Sequence, residues 1–222
     1  MDRFVCNPFH GFHRYEVVVP GSKSMTNRAL LMGALAEGKT ILRGVLFSED
    51  SRVFMQALQE IGFRVSIQET EKVVTIEGLG GRLPIAGPCA KERGVAADCG
   101  SGLRKVYVGS AGTAARFLTA FLALSGQEFV VEASEQMKKR PMEPLLRALE
   151  MLGARFEYLE KPYSFPFRIR GREERNPDCV ELNIDASSQF LSALLLCGVM
   201  CREGIKIRLT GTRSARAYVG IS

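Results

Sequence analysis

One order of elements runs through this chain twice and begins a third time, which restricts the fold more than any other feature. The first pass reads as an apolar helix over Ser24–Glu37 running to Gly38, then a strand over Thr40–Val45. A second helix over Asp50–Ile61 closes at Gly62, with strands near Arg64–Gln68 and Lys72–Glu77. The second pass places helices over Thr113–Ser125 and Pro141–Leu152, closing at Gly126 and Gly153. Its strands fall at Glu128–Ala133 and near Arg155–Leu159 and Pro166–Arg170. The glycines after the first helices stand 88 residues apart and those after the second helices 91, so spacing is held as in a structural duplication. The closing words also agree, Ala57-Leu58-Gln59-Glu60-Ile61-Gly62 against Ala148-Leu149-Glu150-Met151-Leu152-Gly153.

A third unit starts with a helix over Ser188–Met200, Gly204 and a strand over Ile205–Leu209. By the spacing of the first two units, its second closing glycine belongs roughly 24–27 residues after Gly204, past Ser222. The expectation is a lobe whose third unit is incomplete, belonging to a longer protein. The units fall at about 17–80, 105–172 and 180–222, and Gly78–Lys105 reads as a connecting loop.

The strands alternate as half-buried strands do: Phe167 and Ile169 oppose Arg168 and Arg170, and Val73, Thr75 and Glu77 oppose Val74 and Ile76. The first helix of each unit does not follow an amphipathic pattern. Ala29, Leu30, Leu31, Met32, Ala34, Leu35 and Ala36 cover every face, as do Phe117–Leu124 and Phe190–Met200, which predicts inner helices wrapped by sheets. The fold class is α/β (α+β), built from repeated units around buried parallel helices.

All three inner helices open on small polar residues: Gly21-Ser22-Lys23-Ser24, Gly109-Ser110-Ala111-Gly112-Thr113 and Asp185-Ala186-Ser187-Ser188-Gln189. A helix N-terminus with bare N–H groups, hydroxyls or a lysine attracts anions. Lys23 supplies a mobile charge there. Arg28 lies one turn after Ser24 within an otherwise apolar helix, and a buried arginine requires an anionic partner. Arg116 follows the second start, and Lys138-Lys139-Arg140-Pro141 precedes a helix. A nucleotide P-loop is excluded, because Val17 stands where the first glycine belongs and Ser22 precedes Lys23. A second glycine-rich stretch, Asp98–Gly102, competes as a phosphate loop but is not followed directly by an apolar helix.

The net charge of +6 suits anionic small molecules, or an acidic partner segment not included in the chain. Nucleic acid is disfavoured, since the basic residues are scattered without interleaved aromatics. No apolar run reaches the roughly 18–20 residues that span a bilayer, and the N-terminus has no signal-peptide pattern, so the expected location is the cytoplasm. Six cysteines without a C-x-x-C pair, and two histidines, His10 and His13, argue against a metal site. No Ser/His/Asp or Cys/His set stands out, and no carboxylate falls at a motif position of the helix starts.

Taken in order, Pro20-Gly21-Ser22-Lys23-Ser24 with Asn27-Arg28, Gly109–Arg116, Lys139-Arg140-Pro141-Met142 and Ser187-Ser188-Gln189-Phe190 resemble the signature stretches of the 5-enolpyruvylshikimate-3-phosphate (EPSP) synthases. These are also called 3-phosphoshikimate 1-carboxyvinyltransferases. The sister UDP-N-acetylglucosamine enolpyruvyl transferases have a different lysine motif and a catalytic cysteine loop, and neither is found here. The resemblance implies two lobes, each of three βαβαββ units, with residues 17–222 as the N-terminal lobe and residues 1–16 strapping to a C-terminal lobe. It also implies an activity, transfer of the enolpyruvyl group of phosphoenolpyruvate to the 5-hydroxyl of shikimate 3-phosphate, without metal or organic cofactor. Carried over by motif, Lys23 touches both substrates and is the catalytic residue of this lobe. Ser24, Arg28, Ser187, Ser188, Gln189 and Tyr218 bind shikimate 3-phosphate. Gly112, Arg140, Gln189 and Ser110 bind phosphoenolpyruvate. The chain departs from the family at Ser110, where many members have Asn, and at Ala215 in the late Ser-x-Pro-Tyr motif, where Ser214 would fit only by a register shift. The aspartate and glutamate that move protons would lie in the other lobe, so the chain alone is expected to be inactive. The competing expectation is a stand-alone anion-binding module.

Overall fold

A computed structural model describes residues 16, 19–84, 103–173, 177, 179–212 and 222. The first unit consists of α1 (Lys23–Leu35), β1 (Glu37–Arg43), α2 (Glu49–Ile61), β2 (Arg64–Gln68) and β3 (Val73–Leu79). The second consists of β4 (Arg104–Tyr107), α3 (Gly112–Leu124), β5 (Glu128–Glu132), α4 (Glu135–Lys138), α5 (Glu143–Met151), β6 (Ala154–Tyr158) and β7 (Phe167–Arg172). The third holds β8 (Val180–Asn183), α6 (Gln189–Cys197), a 3-10 turn over Gly198–Met200 and β9 (Ile207–Thr210).

Local chemistry explains where the elements begin and end. Ser48 and Ser51 form a reciprocal cap at the start of α2, with Glu49 and Asp50 complementing the helix dipole in its first turn. The helix stops at Gly62 in the left-handed conformation, φ 107°, whose N–H donates to the Leu58 and Gln59 carbonyls. Strands β1, β3 and β2 form one antiparallel sheet. The second sheet has the order β4-β5-β7-β6, with β4 parallel to β5 and the rest antiparallel, and β8 pairs in parallel with β9.

The repeat is present as expected, with shifts of a few residues at element ends. Two expectations require correction. The loop placed over Gly78–Lys105 is structured at both ends: β3 continues to Leu79, and β4 occupies Arg104–Tyr107. Strand β4 escaped notice because its four residues alternate poorly and gain their hydrogen bonds from β5, more than twenty residues later. The inner helices are also not all surrounded. All thirteen residues of α3 are buried, but α1 exposes a stripe containing Met25 and Met32, and α6 exposes Leu195. The middle helix is enclosed by its neighbours on both sides, while α1 and α6 flank it and keep one face open. The one-turn α4 was also unforeseen.

The proposed N-terminal strap up to Tyr15, Asp98–Gly102, His10, His13, Cys6, Cys89, Cys99, Ser214, Ala215 and Tyr218 lie outside the described residues. Among those described, no helix is long and apolar enough to cross a membrane.

Candidate anion-binding site

The three inner helices present their N-termini at one end of the lobe. Arg28 of α1 donates from Nη2 to Ser192 Oγ of α6 at 2.8 Å and lies 5.5 Å from the ring centre of Phe117 in α3, which brings the three helices level. Gln189 opens α6 and donates from Nε2 to Thr113 Oγ1, in the first turn of α3, at 3.0 Å. Parallel helices packed this way add their positive ends.

The start of α3 gathers positive charge over an uncapped helix end. Its N-cap residue Ala111 supplies no side-chain acceptor, so the first N–H groups of the helix remain without a side-chain cap. Gly112 sits beneath two guanidinium groups. A Cβ placed on it would come within 2.8 Å of Arg140 Nη1 and 3.0 Å of Arg116 Nη1, with Gln189 Oε1 at 3.7 Å. Arg116 is buried, donating from Nη1 to Gln189 Oε1 at 2.6 Å and from Nη2 to the Pro141 carbonyl at 3.4 Å, while its Nε has no hydrogen-bond partner among the described residues. Burial, with the neighbouring Arg140 charge second, lowers the Arg116 pKa to about 10. Among the described residues neither Arg116 nor Arg140 has a carboxylate within ion-pairing distance. Two cations held together without one, over bare backbone N–H groups, form a site of concentrated positive potential.

Lys138 of the same basic run is used differently, pairing with Glu135 and Glu160 at 2.8 Å each. Lys23, at the start of α1, is about half exposed and pairs with Asp50 of α2 at 3.0 Å. An exposed pair of this kind contributes about 1 kcal/mol or less, so a dianion can take over the ammonium. Ser22 caps α1 by accepting from the Met25 N–H. Ser24 offers its carbonyl to Arg28 Nη1 at 3.2 Å, and Arg28 Nε donates to Ser222 Oγ at 3.0 Å. Ser187 Oγ accepts from the Gln189 N–H at 3.2 Å, while Ser188 makes no side-chain cap. Ser110 Oγ lies 2.7 Å from Ser134 Oγ. Asn27 is fully buried and neither of its amide atoms has a hydrogen-bond partner among the described residues.

A family model described as EPSP synthase (3-phosphoshikimate 1-carboxyvinyltransferase) matches residues 14–220, nearly the whole chain. This chain belongs to the EPSP synthase family. A 3-phosphoshikimate 1-carboxyvinyltransferase of Hamiltonella defensa is 37% identical over 203 residues, covering 91% of this chain and 44% of the relative. One of Yersinia pestis is 38% identical over 210 residues, covering 93% and 44%. The solved EPSP synthase of Acinetobacter baumannii superposes with a TM-score of 0.71 at 25% identity, over 92% of this chain and 42% of that one. The chain thus spans less than half the length of these EPSP synthases.

The motif residues Gly112, Arg140 and Gln189 converge at α3, and Ser24 and Arg28 come together on α1, while Lys23 reaches Asp50. The motif reading assigned no role to Arg116, Asp50, Ser134 or Ser192. The signal for Arg116 was available, since it is an arginine inside an apolar helix just as Arg28 is. Asp50, Ser134 and Ser192 carried no such signal, because their significance lies in which distant element they touch.

Gly112 gives a test that separates site from fold. Its backbone is helical, so Gly112→Ala should leave the melting temperature within a few degrees of wild type, alanine favouring the helix. The new methyl would displace both guanidinium groups, and inorganic phosphate, used as an anion probe, should bind about tenfold more weakly in calorimetry. Unchanged affinity would show that Arg116 and Arg140 do not act over Gly112.

Proposed function

We propose that this chain is the shikimate-3-phosphate-binding lobe of an enolpyruvyl transferase of the shikimate pathway, a cytoplasmic enzyme of aromatic amino acid biosynthesis. The enolpyruvyl group passes from phosphoenolpyruvate to the 5-hydroxyl of shikimate 3-phosphate with release of phosphate. The observation that carries this reading is the convergence of Arg116 and Arg140 on the uncapped start of α3, beside Gln189 of α6. Phosphoenolpyruvate carries its carboxylate and its phosphate on the same enol carbon. Arg140, Arg116 and the α3 N–H groups, with Ser110 and Lys23 at the margin, match that density of negative charge.

Shikimate 3-phosphate falls to the other two helix starts. By motif, Ser187 and Ser188 are assigned its phosphate group, and Ser24, Arg28 and Tyr218 are assigned to shikimate 3-phosphate as further ligands. Gln189 stands between the substrates and Lys23 reaches both. Addition of the 5-hydroxyl to the enol carbon gives a tetrahedral intermediate, and elimination expels phosphate. Charge develops on the departing phosphate, where fixed cations stabilise it more than they stabilise the ground state. The residues of this lobe bind, orient and neutralise. The proton-moving carboxylates are assigned to the C-terminal lobe, to which residues 1–16 would strap, so turnover requires both lobes.

Calorimetric titration of the chain with shikimate 3-phosphate tests the reading. Heat of binding should appear for wild type, and Arg28→Ala should weaken affinity about 100-fold, the loss of charged hydrogen bonds from a buried guanidinium. Identical isotherms for the two proteins would overturn the assignment.

A further inference from the structure

Serine 134 is absent from every motif discussed above, yet it joins the two halves of the α3 anion site. Its N–H donates to the Gly109 carbonyl at 3.1 Å, and its Oγ lies 2.7 Å from Ser110 Oγ. Both partners belong to the backbone turn that delivers the chain into α3. In the other direction the same hydroxyl accepts from the Met137 N–H at 3.2 Å, and the Ser134 carbonyl accepts from Met137 and Lys138 at 2.9 and 3.0 Å. That winds the single turn of α4, whose Met137 is fully buried and whose Met137 carbonyl accepts from the Arg140 N–H at 2.9 Å. Ser164 Oγ donates to the Lys138 carbonyl at 2.7 Å, pinning the far side of the turn. Arg140 therefore leaves a turn whose origin is tied to Gly109 and Ser110, and its Nη1 arrives over Gly112.

We propose that Ser134 is a positioning residue. It clamps the anion-binding backbone of Gly109–Thr113 to the turn that carries Arg140, and Ser110 acts chiefly through this clamp. The inference deepens the functional reading above and rests on it for the identity of the anion. Physically, a guanidinium on a long flexible side chain binds a dianion well only if its backbone is already fixed relative to the N–H groups that share the ligand. One residue that bonds both backbones meets that requirement. A serine that only capped α4 would need the hydroxyl's bond to Met137 and not the one to Ser110; the N–H bond to Gly109 is made by the backbone and persists in Ser134→Ala.

Hydrogen–deuterium exchange on the full chain reads the clamp without any ligand. Ser134→Ala should raise exchange about tenfold in both 109–113 and 138–141, while β2, β3, β6 and β7 keep wild-type protection. Ser134→Thr retains the hydroxyl and should restore both segments. Loss of protection confined to α4 would overturn the proposal and leave a simple cap. A double-mutant cycle supplies the ligand readout. Ser134→Ala should weaken phosphoenolpyruvate binding about fivefold in the wild-type background and less than about twofold in Arg140→Ala, because Ser134 acts through Arg140. Equal losses in both backgrounds would also overturn it. If wild type binds no phosphoenolpyruvate, the functional reading falls, and the exchange result still decides whether Ser134 is the clamp.

Discussion

Replacing Arg116 with methionine is expected to cost the lobe its affinity for phosphoenolpyruvate while leaving its thermal stability unchanged or slightly raised. The guanidinium both gains and loses by its place in the fold. It gains hydrogen bonds to Gln189 Oε1 and the Pro141 carbonyl, and it lies 5.1 Å from the ring centre of Phe190. It loses hydration on burial and faces Arg140, which together pull its pKa to about 10, and among the described residues its Nε has no hydrogen-bond partner. Apolar residues of similar size that replace buried charges are often neutral or stabilising by about 1–4 kcal/mol. Methionine has a suitable length and adapts to the vacated space. Binding goes the other way. Loss of one of two convergent cations on a dianion should reduce affinity about 100-fold, roughly 2.7 kcal/mol. Calorimetry with phosphoenolpyruvate and a thermal melt of each protein give the two numbers. A melting temperature lowered by many degrees with affinity intact would make Arg116 a structural residue and remove the main support for the site.

The largest effect on stability is expected at Gly78, far from the chemistry. Gly78 lies on β3 where α1 ends, and a Cβ there would press into the carbonyl oxygens of Gly33 and Ala36, well inside van der Waals contact. Both obstacles are backbone, so no side-chain rotation relieves them. Gly78→Ala must push α1 away from its sheet, and it should cost about 3–5 kcal/mol. For a domain of this size the melting temperature then falls by roughly 10 °C. Gly126→Ala is the control. It has a positive φ of 74° and no described atom within 4 Å of the added methyl, so it should cost only about 1 kcal/mol. If the two substitutions cost the same, close packing of α1 on β3 is not what Gly78 provides. Because α1 carries Lys23, Ser24 and Arg28, Gly78 also sets where those groups stand.

The parts of the fold that could be read in the sequence are those governed by short-range rules. Gly62 ends α2 because glycine accepts the left-handed conformation there, and Ser48 starts the same helix by capping it. The alternation of Phe167 and Ile169 with Arg168 and Arg170 marked β7, whose inward residues are fully buried. The polar starts of α1, α3 and α6 marked the end of the lobe proposed to bind anions in the same way, since each requires only a few consecutive residues. Strand β4 went unread because it is held by β5, remote in sequence, and α4 because a single turn capped by Ser134 is too short to show a helical period.

By itself, then, the sequence determined the repeated unit, the helix ends and the residue types gathered at three N-termini. Only the tertiary structure decided that α3 is the enclosed central helix, that Arg116 joins Arg140 over Gly112, that Lys23 meets Asp50, and that Ser134 ties Gly109 to the turn bearing Arg140. The physical reason is range. Capping and periodicity act within one or two turns, whereas the meeting of buried Arg116 with exposed Arg140, or a hydroxyl clamp, depends on which backbone carbonyls and helix ends packing has brought within 3 Å.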